Sequence, residues 1–142
     1  MSFSSQNTHF ISVDNFPHII KKCRSRETSA DSEKWSQNNP SYRQCLITAL
    51  LANEFLWLDI YAEKVRLDND FNAYHFFNKD TNNQDIRFCE EQFDNEKILT
   101  KKRQRPMNKE RMEIILERNP EVNQRYNILK QRFQEEIKKI FR

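Results

Sequence analysis

Apolar residues recur at helical spacing in several stretches of this chain and alternate with polar ones between them. Phe16, Ile19, Ile20 and Cys23 form one stripe, so residues 15–24 are predicted helical, with Pro17 in the first turn. Residues 25–39 are polar and predict a loop, with room for one helical turn, ending near Trp35. Ser41 followed by Gln44 matches the S-x-x-Q capping box and starts a helix reaching about residue 55. That helix is apolar nearly all round, which marks it as central and buried. Residues 56–66 alternate loosely through Ile60, Tyr61 and Val65 and predict a strand. Asp68-Asn69-Asp70 is a turn, residues 73–78 a strand, 79–83 a hairpin loop and 84–88 the return strand. Residues 89–93 predict a helical turn and 101–106 a basic linker. Asn108 caps a helix to about residue 117, with Met112, Ile115 and Leu116 inward. Pro120 opens the last helix, whose stripe is Val122, Tyr126, Leu129, Phe133, Ile137 and Ile140. The expected class is α+β: a central helix on a small antiparallel sheet, followed by a helical pair. One domain over residues 1–142 is expected. Within it, 1–13 are loosely ordered, 14–96 form the catalytic core and 97–142 the basic C-terminal helices.

Composition narrows the function classes. The chain has no glycine, so turns fall to Asn, Asp, Ser and Pro. Glycine-dependent phosphate loops, GxGxxG and the P-loop, are thereby excluded. Cys23, Cys45 and Cys89 are odd in number and lack CxxC spacing, which argues against a disulfide framework or a zinc site. No metal and no cofactor is expected. The first residues lack the basic start and apolar run of a signal peptide, and no stretch is apolar enough to span a membrane. The expected compartment is the cytoplasm, with signal-peptide-independent secretion left open. Residues 1–96 carry 10 Lys/Arg against 15 Asp/Glu, and residues 97–142 carry 14 against 6. A basic C-terminal third fits either the solvated face of a helical pair or a surface for nucleic acid or another acidic partner.

The chemistry-bearing residues are Cys45, His75 and Asp85. Counting from Ser41 as the cap, Cys45 is the fourth helical residue, within the field that favours a thiolate. His9, His18 and His75 are the chain's histidines, and only His75 sits on a strand after the Cys45 helix. It is the candidate base. Asp85 is its candidate orienter, on the same face if residues 74–76 pair with 84–86; Asn78 is a second candidate and Asp80 a third. The Cys45 N–H is one oxyanion donor, and Gln37, eight residues upstream, is a second. Gln44 neighbours the thiol but is assigned to capping, and Trp35 is placed to wall the pocket. This order of cysteine on a helix start, then histidine and acid on neighbouring strands, is that of papain-like and transglutaminase-like enzymes. The alternative for each residue is structural: a helical cysteine packs as a small hydrophobe, and a histidine among aromatics packs or caps.

The chain also resembles the YunG family of small bacterial proteins. The resemblance rests on Trp35, Asn39-Pro40, Gln44-Cys45 with Thr48-Ala49-Leu50, His75-Phe76-Phe77-Asn78, Asp85 and Gln92-Phe93. In the tail it continues through Arg111, Ile115-Leu116, Asn119, Arg125-Tyr126 and Leu129. It covers residues 35–132 and implies a shared Cys, His and Asp suggestive of papain-like or transglutaminase-like chemistry. This chain departs from the pattern at Arg43, where a glycine is usual. It departs again near Asn53-Glu54, where a Gly-Gly is usual, and at Asp85-Ile86-Arg87, in place of Asp-Leu-Thr. The expectation is a cysteine-dependent amide or thioester hydrolase or acyl transferase acting on a protein or small molecule. The rival is a non-catalytic module that binds an acidic partner or nucleic acid through the basic segment.

Overall fold

A computed structural model describes residues 11–33, 35, 44–67, 72–89, 98–101 and 104–140; for 65–67, 72–73 and 98–101 it describes the backbone. Helix α1 is Phe16–Lys21, followed by a 3-10 turn at Arg26–Thr28 and helix α2 at Cys45–Leu56. Strands β1 (Asp59–Leu67), β2 (Asn72–Lys79) and β3 (Asp85–Ile86) come next. Strands β4 (Ile98–Lys101) and β5 (Arg105–Pro106) precede helices α3 (Lys109–Arg118) and α4 (Pro120–Ile140).

The sheet is antiparallel, in the order β3-β2-β1-β4, with β5 also paired to β1. The architecture is α+β, with a central helix on a small antiparallel sheet and two C-terminal helices. The stretch around Lys101–Pro106, expected as a linker, instead contributes to the sheet: Val65 pairs with Lys101 and Ala62 with Arg105. Pairing there is through main-chain groups, which a Lys- and Arg-rich segment supplies as well as an apolar one. Pro106 lacks an N–H and sits on an outer strand, where none is needed.

The predicted stripes form the core. Phe16, Ile19, Ile20 and Cys23 are buried against α2 residues Ile47, Leu51 and Ala52 and α4 residues Val122, Leu129, Phe133 and Ile137. Phe133 meets Phe55 at 5.0 Å and Phe16 at 5.3 Å between ring centres, and Phe88 meets Phe16 at 4.6 Å with its ring tilted. Ile140, expected in the stripe, is 54% exposed. A second cluster of Ala49, Ile60 and Met112 joins α2, the sheet and α3. Asn108 caps α3 by accepting from the Arg111 N–H at 2.9 Å. Arg132 ties α4 to the 3-10 turn, donating to Ser25 Oγ at 2.7 Å and Glu27 Oε1 at 2.8 Å.

Two turns bear the cost of lacking glycine. Asn83 takes φ 62° in the hairpin loop, and Trp57 takes φ 59° as the residue that ends α2. Asn tolerates that region through its short polar side chain; Trp does not. Among the described residues no helix is long and apolar enough to cross a membrane.

Candidate active site

The β1–β2 hairpin sets the site. Its register places Glu63 opposite His75, and its pleat divides side chains between two faces. Ile60, Ala62, Phe76 and Asn78 point to the face covered by α2 and α3, where Asn78 Nδ2 donates to the Ala49 carbonyl at 3.1 Å. Tyr61, Glu63, His75, Phe77 and Lys79 point to the opposite face.

On that far face Glu63 and His75 are buried, each side chain 1% exposed, with His75 Nδ1 3.3 Å from Glu63 Oε1. Arg87 clamps the same carboxylate, Nη1 to Oε1 at 2.5 Å and Nη2 to Oε2 at 3.2 Å. Its Nη2 also reaches Asp85 Oδ2 at 2.8 Å, and its guanidinium lies over the Phe77 ring at 4.0 Å. Lys79 meets Asp85 Oδ1 at 3.3 Å and lies 4.8 Å over the Tyr61 ring. Two carboxylates thus face two cations in this cluster. Arg87 Nη1 also lies 3.4 Å from His75 Nδ1, so that nitrogen faces both the Glu63 carboxylate and the guanidinium.

Asp85 is on the His75 face, as expected, but not beside the ring. The hairpin closes earlier, with Lys79 opposite Asp85 and Asn78 opposite Ile86. The loop explains this: Asp80 N donates to the Gln84 carbonyl at 3.1 Å, and Asp80 Oδ1 accepts from the Asn82 and Gln84 N–H groups. With Asn83 in the left-handed region this five-residue loop closes on itself, and β3 is two residues long rather than five. The carboxylate beside His75 is therefore Glu63. Partial burial alone would raise the Asp85 carboxyl, but hydrogen bonds from Arg87 and Lys79 outweigh it and hold it below its usual value of 3.8.

Glu63 was legible. Pairing the two strands symmetrically about Asn69 in the Asp68-Asn69-Asp70 turn puts residue 63 opposite residue 75. Arg87 had one signal, its alternation with Asp85 along the return strand.

Cys45 is the first residue of α2 rather than the fourth, and its thiol is half-buried. Gln44 precedes it as the N-cap but makes no side-chain cap. Its buried amide instead accepts from Thr28 Oγ1 at 2.7 Å and donates to the Ser25 carbonyl at 3.0 Å. A tertiary partner has displaced the capping-box bond, and Gln44 anchors the helix start to the 3-10 turn. Asn78 serves the α2 backbone and not the imidazole. Trp35 is half-buried; Gln37 and Ser41 lie outside the described residues.

α2 and His75 lie on opposite sides of β2 but at related levels. Two residues, Trp57 and Leu58, turn α2 into β1, which begins opposite Lys79, so α2 starts towards the His75 end. From the Asn78–Ala49 contact, Cys45 lies about 6 Å back along the helix and His75 about 10 Å back along the strand. Among the described residues, no group of three or more His, Cys, Asp or Glu side chains is arranged to hold a metal ion.

A family model described as YunG protein matches residues 12–138. The chain belongs to the YunG protein family. No curated protein and no solved structure matches it. In this YunG family member the clamp on Glu63 comes from Arg87, a position at which the sequence departs from the pattern it resembles.

Proposed function

We propose that this YunG family member is a cysteine-dependent amide or thioester hydrolase or acyl transferase, with Cys45 as nucleophile and His75, oriented by Glu63, as proton shuttle. The observation that carries the reading is the buried His75–Glu63 pair, 3.3 Å apart, at the end of the sheet towards which the Cys45 helix starts. The imidazole takes the Cys45 proton, and the thiolate attacks the carbonyl carbon. The oxyanion accepts hydrogen bonds from N–H groups of the first turn of α2. Imidazolium returns the proton to the leaving nitrogen or sulfur as its bond to carbon breaks. Water, or an acceptor amine, then adds to the thioester by the same route and releases Cys45. The chemistry requires Cys45 and His75 to meet around the margin of β2, which β3 flanks only at Asn78 and Lys79.

The test is intact-mass detection of an acyl adduct after incubation with a panel of activated thioesters. Acylation that maps to Cys45, vanishes in Cys45→Ala and slows in His75→Ala and Glu63→Gln supports the reading. Equal labelling of Cys45→Ala sinks it.

One observation favours a second reading. Arg87 occupies both oxygens of Glu63 and balances its charge, which is how a structural lock is built. On that reading the chain is a non-catalytic module, and its exposed Arg105, Lys109 and Arg111 bind an acidic partner or nucleic acid. Salt-dependent retardation of nucleic acid, without acylation of Cys45, selects it.

A further inference from the structure

On the α2 side of the sheet, a cavity of about 340 Å3 opens between β1, β2, β5 and α3. Its floor is Phe76, Met107 and Ile115, and its rim carries Lys64, Tyr74 and Arg105. Among the described residues no carboxylate pairs with Lys64 or Arg105. Two cations and a 65% exposed Tyr74 therefore face an apolar floor with no acid of their own. A volume of this size, mostly apolar with a few convergent polar groups, suits a small ligand.

We propose that this cavity binds a small apolar carboxylate, its hydrocarbon or aryl body on Phe76, Met107 and Ile115 and its carboxylate between Lys64 and Arg105. The charge pattern selects the ligand: an apolar amine meets only like charge at the rim, and a neutral body forgoes both ion pairs. Phe76, Met107 and Ile115 pack onto the same Ala49–Ile60–Met112 cluster as Leu46, the residue after Cys45. A ligand on this floor therefore shares a packing cluster with the first turn of α2. That it belongs to the substrate rests on the proposed chemistry; that the cavity binds it does not.

The binding test uses 2-naphthylacetate and its uncharged counterpart 2-(2-naphthyl)ethanol, titrated against full-length protein carrying 13C-methyl methionine. Met107 lines this cavity as well as a neighbouring one of about 630 Å3, whereas Met112 lines only the neighbour. The expected result is a saturable shift of the Met107 methyl, larger than that of Met112, with the alcohol at least about tenfold weaker. Lys64→Gln/Arg105→Gln, whose urea midpoint should match wild type, weakens the acid about tenfold or more and leaves the alcohol unchanged. Cys45→Ala binds the acid as wild type does, so loss of acylation in that variant bears on the nucleophile and not on this site. No saturable Met107 shift, equal affinity for acid and alcohol, or undiminished binding by the double variant overturns the proposal.

Discussion

Glu63→Gln isolates the feature on which the far face of the sheet depends. The substitution keeps the side-chain volume and removes one charge. It takes from Arg87 one of the two oxygens it meets at 2.5 and 3.2 Å and puts an NH2 donor in its place, while the remaining oxygen still faces His75. Breaking a buried ion pair from one side costs about 3–5 kcal/mol, because the surviving charge stays in place without its partner. Two details push the value to the lower end: Arg87 is 16% exposed, and it keeps Asp85 at 2.8 Å. The expected loss is about 3 kcal/mol. With a urea slope of about 2 kcal/mol/M, the midpoint falls by roughly 1.5 M. Arg87→Met alone should cost a similar amount. The double variant should cost less than the sum of the two, with a coupling of about 2 kcal/mol. A Glu63→Gln stability within about 0.5 kcal/mol of wild type, or strict additivity of the two changes, would falsify the claim that this cluster fixes the sheet.

Further outcomes follow from the core, the turns and the rim of the cluster. Phe133→Ala removes a fully buried ring packed on Phe16 and Phe55 and should cost about 4 kcal/mol, read from the urea midpoint. Trp57→Gly relieves a left-handed backbone at an 80% exposed side chain. It should stabilise by about 1 kcal/mol, and a loss of stability contradicts the strain argument. Asp85 has its folded pKa held below 3.8, so its stabilisation is present above that value and is lost as pH falls through the lower folded one. Asp85→Asn should therefore cost up to about 1 kcal/mol at neutral pH and progressively less as the pH falls through the folded value; a gap that stays constant into acid rules this out.

The parts of the fold that sequence pattern exposed are those with a side-chain period. The α1 and α4 stripes, the Asn108 cap and the hairpin each carry their signal in residue types. The left-handed turn at Asn83 follows from an Asn-rich loop in a chain without glycine. β4 and β5 carry no such signal, because at four and two residues they are too short to show a side-chain period and they join β1 by main-chain pairing. The site was half legible for a related reason. His75 and its strand were plain, and the Asn69-centred symmetry already points to Glu63. Asp85 was drawn to His75 by its chemistry, whereas the hydrogen bonds of the Asp80 side chain set the register four residues away. Gln44 shows the same conflict: its spacing from Ser41 favours a local cap, and Thr28 and Ser25 supply a buried tertiary alternative.

The central claim is that Cys45 is a nucleophile served by His75 and Glu63, and the pH dependence of its alkylation tests this most directly. Burial, followed by the charge of Glu136, pushes the Cys23 thiol up to about 12 and keeps it silent in such an assay. Cys23→Ser and Cys89→Ser remove the remaining background. The account predicts alkylation that stays fast well below the free-thiol pKa of about 8.5. It also predicts that the rate falls in His75→Ala and Glu63→Gln but not in Asp85→Asn. A slow reaction that rises only near that pKa, indifferent to all three substitutions, contradicts it.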